Sequence, residues 1–152
     1  MTGELQQEQK RREVLDRLYP WYKEEVFRRR ERMIWLTAFG GATLVVVLLF
    51  VPVVPAARSP LLKAMACVGV VLFNGTMAAL ILQQAERHRL AKQALIRIEQ
   101  AIGLYEEGRY LTGTALYPKS WQHAWLGDRS VLLYQAILVL LTALVIASVL
   151  VQ

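Results

Sequence analysis

The chain has 152 residues, of which 55% are hydrophobic and 20% charged, with a net charge of +6. A soluble domain averages nearer 45–50% apolar and about 25% charged. The charges fall almost wholly within residues 4–32 and 86–129, which excludes a water-soluble globule, a disordered tail and a disulfide-stapled secreted domain.

The first block, residues 1–32, is rich in Glu, Gln, Lys and Arg, all good helix formers. Leu15, Leu18, Tyr19 and Tyr22 form a short apolar stripe that Pro20 interrupts. An interior proline removes a backbone donor, and proline suits the first position of a helix. The pattern predicts a cytosolic helix over about residues 3–18 and a second from Pro20 into the first span. Arg28, Arg29, Arg30 and Arg32 cluster at its end, where cations fix topology and can meet anionic lipid headgroups.

Residues 33–54 carry no charge, nor do 64–82 or 131–151. About 20 helical residues cross a hydrocarbon core of roughly 30 Å. The fold class is therefore all-α: an integral membrane protein with spans near 33–54, 61–82 and 131–151. The first run does not read as a cleavable signal peptide, because 32 residues precede it. Trp35 is placed as an interfacial anchor.

Within the spans, Asn74 is the notable polar residue, followed by Gly75 and, four residues on, Ala79. Small residues at this spacing let helices approach, and a buried amide can bond a neighbouring helix. The alternative is that Asn74 lines the lumen of an oligomer.

Span two is expected to continue as a long cytosolic helix. Ala91, Leu95, Ile98, Ile102 and Tyr105 follow spacings of 4, 3, 4 and 3, a coiled-coil-type seam. Either the stripe around Leu15–Val26 or a second copy of the chain would cover it. Residues 103–130 then form an aromatic loop punctuated by glycines and Pro118, with Trp121 and Trp125 as headgroup anchors. By domain, residues 1–32 are charged helices, and 33–151 are three spans with the extension and loop 83–130.

Orientation follows from the basic residues. Nine precede span one, two lie between spans one and two, and seven lie between spans two and three. Sixteen therefore share one side, which the positive-inside rule makes cytoplasmic, with the C-terminus outside. The inner (plasma) membrane is the expected location.

Catalytic patterns are absent. His88 and His123 are far apart in sequence, Cys67 is the sole cysteine, and no phosphate loop or nucleophile elbow occurs. The expectation is a non-enzymatic accessory or scaffold subunit, acting through the seam of Ala91, Leu95, Ile98, Ile102 and Tyr105, with no cofactor and no metal. Its partners would be membrane lipids and a second copy or another protein, with no nucleic acid. An oligomeric channel or membrane-disrupting effector is the second reading.

Overall fold

The computed structural model describes residues 2–50, 59–124 and 129–151. It is all-helical, with α1 at Thr2–Phe50, α2 at Pro60–Ile102, α3 at Trp121–Ala124 and α4 at Ser130–Val151. Among the described residues, α1, α2 and α4 are each long and apolar enough to cross a membrane. Residues 51–54 of the first expected span lie outside the described residues.

Pro20 does not divide α1, which corrects the expectation of two helices meeting there. An interior proline costs about 3 kcal/mol, partly through the carbonyl it leaves unbonded four residues earlier. That carbonyl belongs to Asp16, which is exposed, as is Pro20, so water can take the acceptor. Local ion pairs Glu13–Arg17, Glu24–Arg28 and Glu25–Arg29 help, but each exposed pair supplies only about 0.3–0.5 kcal/mol. The balance comes from packing of the opposite face, where Val26 is buried and Tyr19 half-buried.

The chain divides into two compact units. Unit 1 comprises residues 1–30 and 86–128, and unit 2 comprises 31–85 and 129–152.

Unit 1 is organised around the end of α2. Ala91, Ile98, Leu104 and Tyr105 are buried there. Gly103 stops the helix in the left-handed region at φ +84°. The Leu104 N–H bonds the Glu99 carbonyl and the Gly103 N–H the Gln100 carbonyl, both at 3.0 Å, the pattern of a Schellman cap. The Arg109 side chain lies directly over Gly103, and the Tyr110 hydroxyl donates to the Ile102 carbonyl at 2.9 Å. Gly108 and Gly113 also have positive φ, and the Tyr117 N–H bonds the Leu104 carbonyl at 3.0 Å. These bonds fold residues 103–120 back onto the helix end.

Unit 2 packs parts of α1, α2 and α4 around Leu44, Val70, Ile81, Leu138, Val145 and Val149. The tightest approach is at Gly40, where an added Cβ would stand 3.1 Å from Leu138 Cδ2 and 3.4 Å from Met77 Cγ. A side chain at this position would have to displace Leu138 and Met77, so glycine suits the close approach of the three helices. Outward, Trp35, Phe39, Leu49, Leu72, Leu132 and Leu140 are each more than 60% exposed. An apolar surface of this extent is a liability in water and suits hydrocarbon.

Candidate functional site

The densest polar chemistry among the described residues lies in unit 1, about the carboxylate of Glu99. Glu99 follows Leu95 by four residues and precedes Ile102 by three, so it sits within the apolar seam. It is 8% exposed. Burying a carboxylate is costly unless hydrogen bonds replace its water. Tyr105 supplies one, donating its hydroxyl to Glu99 Oε2 at 2.5 Å.

A second phenol pair adjoins this one. The Tyr19 and Tyr117 hydroxyls share a hydrogen bond of 3.1 Å, linking α1 to the loop. The Tyr105 and Tyr117 rings meet edge-on at 5.9 Å, and Tyr117 packs against Trp121 at 5.5 Å. Lys23 stands over the Tyr19 ring, 5.9 Å from its centre. Burial, then the bond to Tyr117 and the nearby Tyr117 and Glu99 charges, hold the Tyr19 hydroxyl above the usual tyrosine range. Burial and the bond to Glu99 do the same for Tyr105. Both phenols thus keep their protons near neutrality, and Tyr105 gives its own to the bond with Glu99.

Two hollows flank the cluster. A small one of about 60 Å³ is lined by Glu99, Tyr105, Tyr117, Trp121, Leu95, Ile96 and Lys92. A larger groove of about 380 Å³ is lined by Arg12, Leu15 and Asp16 of α1 and by Ala101, Ile102, Arg109 and Tyr110. Leu15 thus faces Ile102 while Tyr19 feels Glu99, so the two helices run in opposite directions here.

The structure distributes the seam unevenly. Ala91, Ile98 and Tyr105 are buried, while Leu95 and Ile102 are half-buried. Within unit 1 the chain's own α1 and loop supply much of the covering surface. Glu99 and the Tyr19–Tyr117 pair carry the cluster, yet neither stands out in the sequence pattern. The available signal was an acidic residue at a seam position, four after one leucine and three before an isoleucine.

The other expected residues lie elsewhere. In the basic cluster, Arg28 bonds Glu24 at 2.5 Å and Arg29 pairs with Glu25, whereas Arg30 and Arg32 are exposed. Trp35 is 67% exposed and Trp121 43% exposed. Trp125 lies outside the described residues. In unit 2, Asn74 is half-buried, and its Oδ1 is enclosed without a hydrogen-bond donor among the described residues. A Cβ on Gly75 would meet nothing within 4 Å, and Ala79 is exposed, so within one chain the close approach falls at Gly40. The one interhelical side-chain bond described in this unit runs from Gln135 Nε2 to the Ala78 carbonyl, at 3.2 Å.

Chemically, the cluster is a set of donors, aromatic faces and one carboxylate. Among the described residues, no three His, Cys, Asp or Glu side chains gather where they could hold a metal ion. Comparison with known protein families, curated proteins and solved structures finds no match to this chain.

Proposed function

We propose that the protein is a non-enzymatic, three-span protein of an inner (plasma) membrane that serves as an accessory or scaffold subunit. Sixteen of its 18 basic residues fall in the segments before span one and between spans two and three, which supports a cytoplasmic unit 1 and an outside C-terminus. Scattered basic residues accompanied by acids fit this topology role better than nucleic-acid binding.

One observation carries the scaffold reading. Val14, Leu18 and Trp21 follow each other at spacings of 4 and 3 on α1 and are 54%, 39% and 57% exposed. They form a line separate from Leu15, Tyr19, Tyr22 and Val26, which are buried or half-buried. The seam on α2 contributes indirectly, by giving α1 a folded base from which this line faces outward. A helix from a second copy or another subunit is the surface that would cover it.

Cysteine cross-linking in membranes tests this reading. A Trp21→Cys chain in a Cys67→Ala background is expected to give adducts larger than one chain, lost on Leu18→Glu. Adducts that never exceed one chain would count against it. The channel reading asks Asn74 to face a lumen. The enclosed Oδ1 of Asn74 favours packing instead.

A further inference from the structure

A series of aromatic rings in unit 1 leads from the surface to a buried phenol. Trp121 is 43% exposed, Tyr117 is half-buried and Tyr105 is only 6% exposed. The Trp121 and Tyr117 ring centres lie 5.5 Å apart, and those of Tyr117 and Tyr105 lie 5.9 Å apart. At the inner end, the Tyr105 hydroxyl donates to Glu99 Oε2 at 2.5 Å.

We propose that this series is a one-electron relay. A radical oxidant of the peroxyl class takes an electron from Trp121, and Tyr105 replaces it while passing its proton to Glu99. The inference goes beyond the scaffold reading and does not rest on it.

The peroxyl radical gains one electron and leaves as a peroxide anion, which takes a proton from water and leaves hydroxide. The Trp121 radical cation is then reduced by Tyr105, with the Tyr117 ring as the intermediate step. As Tyr105 loses its electron, its O–H bond breaks and the proton goes to Glu99 Oε2. Trp121 is restored, and the products in the chain are a neutral Tyr105 radical and a protonated Glu99.

The hydrogen bonds select Tyr105 as the end of the path. A phenol that loses an electron becomes strongly acidic, so it gives up that electron best where a base already holds its proton. A base must lie within hydrogen-bond reach of the proton it takes. Tyr105 has a carboxyl oxygen there. The bond between Tyr19 and Tyr117 joins two hydroxyls, at 3.1 Å, and the Tyr110 hydroxyl donates to a backbone carbonyl at 2.9 Å. Neither a phenol nor an amide carbonyl is a comparable base. Burial acts in the same direction, since it shields the Tyr105 radical while the exposed Trp121 ring meets the oxidant.

The test uses the full chain in maltoside micelles, with Trp21, Trp35 and Trp125 replaced by Phe so that Trp121 is the only tryptophan. Azidyl radicals from a radiolysis pulse are the probe, because they take one electron from tryptophan. The tryptophanyl absorption is expected to decay as a tyrosyl absorption grows, at one rate that does not depend on protein concentration. Tyr105→Phe should abolish this coupled growth, and Tyr117→Leu, which removes the intermediate ring, should slow it. Glu99→Gln keeps an acceptor for the Tyr105 bond but takes no proton, so it should slow the transfer about a hundredfold. In heavy water the rate should fall without any substitution in the cluster, because the proton moves with the electron. Equal rates in light and heavy water would overturn the proposal even if a variant failed to fold. Tyrosyl growth at the parent rate in Tyr105→Phe or Glu99→Gln would also overturn it, as would Trp121 radical decay without tyrosyl growth.

Discussion

The Tyr105 hydroxyl donates to Glu99 Oε2 at 2.5 Å, and both side chains are more than nine-tenths buried. They stand six positions apart, and the Gly103 turn between them brings the phenol back over the helix it has just left. An acid placed in an apolar seam thereby becomes a fixed point of unit 1.

Tyr105→Phe should accordingly destabilise unit 1. It removes one donor from a buried carboxylate, and leaving such a group short of a partner costs about 1–3 kcal/mol. Amide exchange over residues 88–104 is expected to quicken by about tenfold to a hundredfold. Unit 2 gains no new exposed polar group, so exchange in α4 should be unchanged.

The same cluster sets an alkaline limit. Tyr19 and Tyr105 are held above the ordinary tyrosine value of 10.0 by burial and their hydrogen bonds. A raised folded-state value means that the stabilisation is fully present below the unfolded value and is lost as pH rises above it. Unit 1 should be insensitive to these groups up to about pH 10 and weaken beyond. In thermal melts followed from pH 8 to pH 12, Tyr19→Phe should flatten the alkaline fall; an unchanged slope would contradict the assignment.

In unit 2, a side chain at Gly40 should matter far more than one at Gly75. Leu138 and Met77 stand 3.1 and 3.4 Å from a Cβ at Gly40, whereas Gly75 meets open space. Gly40→Leu is expected to cost about 1–3 kcal/mol through overpacking. Gly75→Leu should leave the melting of the solubilised single chain unaltered. A loss of oligomeric mass on Gly75→Leu, with melting retained, would locate a contact between copies there.

The three long helices were legible because uncharged runs of about twenty residues leave little alternative. The seam was legible in its periodicity, and the turns at Gly103, Gly108 and Gly113 in their composition. Three features were not. Pro20 reads as a break from local chemistry, but packing on the opposite face and an exposed Asp16 carbonyl carry the helix through. Glu99 looks like one more surface acid until the loop returns Tyr105 to it. Gly75 reads as the small residue of a helix contact, yet only the helix register shows that the approach to Leu138 falls at Gly40 while Gly75 meets open space. Each omission is a tertiary contact overriding a local preference.

The proposed topology is tested most directly by labelling single cysteines in intact cells, in a Cys67→Ala background. Ser59 and Ser120 are both exposed, and in sequence they flank the uncharged run 64–82. With a membrane-impermeant maleimide, Ser59→Cys is expected to label from outside, and Ser120→Cys only after the cells are permeabilised. Labelling of Ser120→Cys from outside, with Ser59→Cys protected, would reverse the orientation. Labelling of both from one side would remove the second span, and with it the three-span account.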